Sequence, residues 1–302
     1  LMHGRRRQLW HDPHFQIPLI LLVGCLILAL LFSVVGLGRP NVAVVLSLDL
    51  SGSTFNNNIN TFNQPGTIVA QEVTAAKDYI LKNNEVLRQP NYIMIHGFGR
   101  NVVYLTPQFH TNPDVLISQL DQALSRADLL PQVDPDGTNL TGAIAAATDQ
   151  LRQVPNRCRE LLLVTDGEAA IDPAVITEAK EHRVKINAIV IGSRAPELES
   201  AVLQTGGHYQ GGEVNRLNEF VVTDFFERFN TNYRWLIFWL GLAWICLMWV
   251  WVMPLDRWLL QGLFQLPMNL SGKIAVFHAV TWTVITPLIL WRFPGWPFLG
   301  YC

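Results

Sequence analysis

The sequence predicts an α/β protein, a doubly wound and mostly parallel sheet flanked by transmembrane helices. Three observations carry this. Short apolar runs, such as those over 42–48 and 161–165, stop abruptly at polar loops, as strands buried on both faces do. Those runs alternate with stretches of helical period, which is the pattern of a parallel sheet covered by helices. Outside that alternation lie three long runs almost free of charge.

In chain order, strands are expected over 42–48, 92–96, 102–105, 161–165 and 185–191. Helices are expected over 68–83, 113–126, 141–153, 173–181, 196–204 and 218–229. The alternating region, 41–232, is long enough to bury its own core. The last of its helices is separated from the next apolar run by Thr231–Arg234 alone.

The apolar runs are expected to span a bilayer, which takes about twenty apolar residues. The first, 17–38, has no charge over 17–37. The second is 235–253, and the third, 274–291, carries His278 and Pro287. Nine of the ten tryptophans lie from Trp235 onward, many near the ends of the last two runs, as interfacial anchors do. Residues 254–273 read as an interfacial amphipathic connector, with Leu255, Trp258, Leu259, Leu263 and Leu266 at helical spacing. Arg5, Arg6 and Arg7 precede the first span and Arg39 alone follows it closely. This bias puts segment 1–16 in the cytoplasm, the 41–232 region outside it and tail 292–302 outside as well. The first run is longer than a signal-peptide core and no small-x-small cleavage site follows, so an uncleaved anchor is expected. The expected location is the plasma (inner) membrane, multi-pass.

The 302 residues are half hydrophobic and 15% charged, well below the usual quarter. A net charge of −2 gives no reason to expect nucleic acid as a partner. No Cys-x-x-Cys pair exists, Cys158 stands alone in the soluble region, and a disulfide framework is not expected.

The richest motif is Asp49-Leu50-Ser51-Gly52-Ser53, directly after the first strand. One carboxylate and two hydroxyls on a single turn form an oxygen-only set suited to a hard cation. It lies beyond a strand's carboxyl end, where open α/β sheets place ligands. Asp136-Gly137-Thr138-Asn139-Leu140-Thr141-Gly142 is a turn-rich loop opening a helix, and Thr165-Asp166-Gly167-Glu168 ends a second buried strand.

Together these three motifs resemble the von Willebrand factor A (vWA) domain, a Rossmann-like fold, and its metal-ion-dependent adhesion site (MIDAS). The resemblance implies a metal set of Asp49, Ser51, Ser53, Thr138 and Asp166, with Thr141 as the alternative to Thr138. It covers 41–232, with Thr205–Tyr209 similar to the family's last strand. It implies Mg²⁺ (or Mn²⁺/Ca²⁺) held by neutral hydroxyls, with carboxylates acting partly through water. An ion so held keeps much of its charge, and a vacant position favours a carboxylate from a protein partner. Phe55, Asn56, Asn57 and Asn58, just after the motif, and Glu168, beside Asp166, are the expected partner-binding residues; binding residues favour loops on a rigid scaffold. Asp134 and Asp136 also flank the motifs.

No Gly-x-Ser-x-Gly elbow and no phosphate-binding Gly-x₄-Gly-Lys-Ser/Thr loop is present, so an enzyme is not expected. The alternatives are a structural or assembly subunit packed against other membrane subunits and, behind it, a metal-assisted hydrolase. The arrangement also resembles bacterial membrane vWA proteins that work with MoxR-type ATPases, although one span before the domain and two after departs from that plan. His96 and His208 are not expected to bind metal. His278, inside a span, is a functional candidate or a neutral ring bonded to a neighbouring carbonyl.

Overall fold

The structure is a computed structural model and describes residues 12–54, 66–192, 194–293 and 295–298. The chain divides into two compact units. One runs Pro40–Thr231; the other joins the amino-terminal stretch through Arg39 to the stretch from Asn232 onward.

The first unit contains β1 (Val42–Asp49), α2 (Ile68–Val86), β2 (Tyr92–Phe98), β3 (Val102–Tyr104), α3 (Pro113–Leu124) and α4 (Leu129–Val133). It continues with α5 (Leu140–Arg152), β4 (Cys158–Thr165), α6 (Pro173–Glu181), β5 (Val184–Ile191), α7 (Pro196–Thr205) and β6 (Tyr209–Gly212). The strands form one sheet in the order β3-β2-β1-β4-β5-β6. Only the β2–β3 pairing is antiparallel. The chain leaves β1 toward β2 on one side and returns as β4 on the other. The carboxyl ends of β1 and β4 therefore flank the crevice where the strand order reverses.

Every residue of β1 is buried, because helices cover both faces of the sheet. Val42, Val44, Leu46 and Leu48 pack toward α2 and α3, among Val73, Tyr79, Ile80, Leu116 and Leu120. Ala43 and Val45 face α5, α6 and α7, among Ile144, Leu151, Ile176 and Leu198. This two-sided burial is why the strands read as continuous apolar runs.

Several elements depart from the expected bounds. β1 reaches Asp49, β2 reaches Phe98 and β4 begins three residues early, at Cys158. Short α4 was not foreseen. Cys158 is disulfide-bonded rather than the lone thiol the sequence suggested. The expected 218–229 helix is instead a composite: a 3-10 turn Val214–Arg216, α8 (Leu217–Glu219), a π turn Phe220–Phe225 and α9 (Phe226–Phe229). The five-residue spacing of Phe220 and Phe225, both buried, places them on one face in a π turn but not in an α turn. Lys82 Nζ donates to the Val222 carbonyl at 2.7 Å and pins this run to α2.

The second unit contains α1 (Pro13–Val35), α10 (Tyr233–Pro254) running into a π-helical stretch (Leu255–Leu263), and α11 (Met268–Arg292). Among the described residues, three helical stretches, Pro13–Val35, Tyr233–Leu263 and Met268–Arg292, are long and apolar enough to cross a membrane. Asn232 Nδ2 donates to the carbonyls of Phe32 and Leu37 at 2.6 and 2.8 Å, holding α1 to α10. Phe32 stacks on Trp235 with ring centroids 5.2 Å apart. Between α10 and α11, Trp249 Nε1 donates to Thr283 Oγ1 at 3.0 Å, and the Trp244 and Trp282 rings meet edge-on. Buried Ala275 and Ala279 let α11 pack closely.

Candidate functional site

The site grows from the end of β1. The Leu50 amide donates to the Phe98 carbonyl at 2.7 Å, continuing the sheet by one bond. The chain then turns, and the Ser51 amide donates to Asp49 Oδ1 at 2.9 Å. The Thr54 hydroxyl lies 2.8 Å from the Asp49 carbonyl and 2.7 Å from that of Ser51, closing the turn from below. The Leu50 side chain is fully buried against Gly97: a Cβ there would lie 2.3 Å from Leu50 Cδ1. Leucine inside a polar motif is thus the anchor that presents Asp49 and Ser51 on either side of it.

Four of the five expected metal residues are joined directly, Asp49 to Ser51 as above and Ser51 through Ser53 to Asp166. Ser51 Oγ and Ser53 Oγ lie 3.2 Å apart, and Ser53 Oγ donates to Asp166 Oδ1 at 2.9 Å. Asp49 is fully buried, and its Oδ2 accepts from Thr165 Oγ1 at 2.6 Å, which links β1 to β4. Thr138 arrives from the third motif. A Cβ on Gly167 would lie 3.6 Å from Thr138 Oγ1, an ordinary contact distance, so this hydroxyl sits against the residue that follows Asp166. The Thr138 loop is fixed from both sides. The Asn139 amide donates to the Gly99 carbonyl at 2.8 Å, and Asn139 Oδ1 caps α5 through the Gly142 amide at 2.8 Å. Arg100 bonds Asp134 at 2.7 Å and the Asp136 carbonyl at 3.2 Å, so both acids belong to the loop's framework. Thr141 turns away: its hydroxyl donates to the Ala170 carbonyl and accepts from the Asp172 amide.

Sequence reading missed Glu72. It is buried on α2, and its Oε2 accepts the Asp49 amide at 2.9 Å. Burial, and next the nearby Asp49 charge, hold its carboxyl well above the usual range. Glu72 lies on the apolar stripe of α2 with Val69, Val73 and Ala76, and an acid on such a stripe was the available signal. Asp49 is raised as well. Burial is the main cause, partly offset by hydrogen bonds from Ser51 and Thr165.

The remaining expectations sort as follows. Phe55, Asn56, Asn57 and Asn58 lie outside the described residues. Glu168 is exposed, two residues past Asp166. His96 is fully buried on β2, edge-on to the Tyr104 ring at 5.8 Å, and burial lowers its pKa to about 3. His208 packs on Phe225. His278 Nε2 accepts from Trp282 Nε1 at 3.1 Å, so its partner is an indole rather than the expected carbonyl.

Two carboxylates and three hydroxyls fit a hard, oxygen-seeking divalent cation. Among the described residues no group of three or more His, Cys, Asp or Glu could hold a metal. Any ion here would therefore depend on the hydroxyls.

No family model matches the chain. No curated protein matches it either. Solved structures do. An aerotolerance-related membrane protein from Bacteroides fragilis, solved with multiple mutations to serine, is 16% identical with a TM-score of 0.44; the match covers 62% of this chain and 100% of that one. A von Willebrand factor type A protein from Catenulispora acidiphila is 18% identical with a TM-score of 0.46, over 63% of this chain and 42% of that one. Proximal thread matrix protein 1 from the mussel byssus, with a zinc-occupied MIDAS motif, is 14% identical with a TM-score of 0.46, over 60% of this chain and 46% of that one. This chain spans less than half the length of the last two. In the unit Pro40–Thr231 the three motifs lie at loops that the strand order brings together. Beside that unit, the described residues include three helical stretches of membrane-spanning length.

Proposed function

We propose that this protein is membrane-anchored, binds a divalent cation through Asp49, Ser51, Ser53, Thr138 and Asp166, and recruits a protein partner to that ion. The carrying observation is the run of contacts Ser51–Ser53–Asp166, which gathers oxygens from two separate loops at the reversal of strand order. Mg²⁺ suits the set best because it takes octahedral oxygen ligands, with Mn²⁺ and Ca²⁺ as substitutes. The hydroxyls add no charge, so the ion stays electropositive and attracts a carboxylate from the partner.

The reading is one of binding rather than catalysis. The hydroxyls of Ser51 and Ser53 face each other and Asp166, while His96 is buried against Tyr104 and His208 packs on Phe225. Neither imidazole is placed as a general base for a serine.

The vWA-like domain is proposed to lie outside the cytoplasm, at the bacterial inner membrane. Support comes from Arg5, Arg6 and Arg7 before the first span, and from the disulfide at Cys158, since disulfides persist in oxidising compartments. In intact cells, a cysteine introduced by Leu203→Cys, at an exposed site on α7, should react with a membrane-impermeant thiol reagent. Reaction only after lysis would reverse the orientation.

The recruiting role is tested by co-purification from mild detergent with and without chelator, using wild type and Asp166→Ala. Chelation and the substitution should each remove the partner. A complex that survives both would instead make this chain a structural or assembly subunit, held through its membrane helices.

A further inference from the structure

Beside the metal motifs lies a cavity of about 360 Å³ between the β4–α6 loop and the start of α7. Its walls are apolar at Ala169, Ala170, Ala195, Pro196 and Leu198, and carboxylates stand at Glu168 and Glu197. The walls are tied in place. Glu197 Oε2 accepts the Ile171 amide at 3.0 Å, and the Ala195 amide donates to Tyr209 Oη at 3.1 Å. Glu168 has no ion pair among the described residues.

We infer that this cavity receives a lysine or arginine side chain of the same partner, close to the carboxylate that meets the metal. The inference rests on the proposed metal-dependent recruitment and specifies the partner's chemistry. Apolar walls with carboxylates among them suit a long aliphatic stem with a cationic head. A free metal ion or a small ammonium would leave the alanine, proline and leucine walls unused. Glu168 lines the cavity and stands two positions after Asp166, so their Cα atoms lie at most about 7 Å apart. One short segment of a partner can therefore reach both places. Opposite charges set side by side also give specificity: a segment with an acid alone leaves Glu168 and Glu197 unanswered, and one with two acids is repelled.

The test uses the full chain in nanodiscs with Mg²⁺ as bait for a phage-displayed library of random peptides. Wild type should enrich peptides with Asp or Glu and, within a few residues, Lys or Arg. Glu168→Gln, an isosteric change at an exposed site, should keep the acid enrichment. It should lower the basic enrichment by about two- to fivefold, the size of an exposed ion pair. Acid enrichment without a neighbouring base in wild type, or basic enrichment unchanged in Glu168→Gln with unaltered melting, would overturn this inference and leave the metal reading standing. No acid enrichment, or enrichment that persists with chelator, would overturn the metal reading and this inference with it.

Discussion

At the scale of single residues, the site is a balance between burial and charge. Asp49 is buried deeply enough that its carboxyl is raised despite hydrogen bonds from Ser51 and Thr165. A cation must therefore displace a proton more often here than at an exposed aspartate. The expected outcome is that Mg²⁺ affinity falls as pH falls and that binding releases protons. Calorimetry in buffers of different ionisation enthalpy reads this directly; a pH-independent affinity would contradict it. His96 shows the opposite shift. Its pKa is lowered to about 3 from 6.5 by burial, with both ring nitrogens unpartnered. The stability that its neutrality provides is present above the unfolded value and lost as pH falls through the folded one. Between those values the unit Pro40–Thr231 should lose about 1.4 kcal/mol per pH unit from this group alone. Scanning calorimetry at pH 7 and 5 should show a smaller acid loss in His96→Phe than in wild type; equal losses would remove His96 from the account. Asp49, Ser51 and Ser53 were legible in the sequence because they share one turn after an apolar run. Glu72 was not read, because its bond to the Asp49 amide crosses 23 residues of chain and depends on how α2 lies on the sheet.

At the scale of elements, the proposed metal loop depends on a contact that no motif contains. Gly97 on β2 leaves room for the Leu50 side chain, and Leu50 fixes its neighbours Asp49 and Ser51. Gly97→Ala should push Leu50 outward, cost about 1–3 kcal/mol as core overpacking does, and weaken metal binding. Wild-type affinity in that variant would show that the loop is held elsewhere. The strand ends were legible because burial on both faces makes the strands uniformly apolar until the loop begins. The run Val214–Phe229 was legible as helical but not as composite, since the π turn answers to the packing of Phe220 and Phe225. The connector was read as a separate interfacial helix. In the structure its first part continues α10 through the π-helical stretch to Leu263, with Trp258, Leu259 and Leu263 exposed.

At the scale of the whole molecule, composition foretold two environments. The concentration of tryptophan after Trp235 and the charge-free runs match a unit of long apolar helices, and the alternating region matches the sheet-and-helix unit Pro40–Thr231. What the sequence left open is how loops distant in the chain meet. Asp49 and Asp166 lie over a hundred residues apart, and strand order alone brings them within reach of Ser53. The central claim is that this meeting point holds a divalent cation. The most direct measurement is calorimetric titration of Mg²⁺ and Mn²⁺ into the detergent-solubilised full chain, comparing wild type with Asp49→Asn and Asp166→Asn. The account expects one ion per chain in wild type and a loss of binding in both variants, each keeping its domain unfolding transition. Binding of equal strength in wild type and both variants would contradict it.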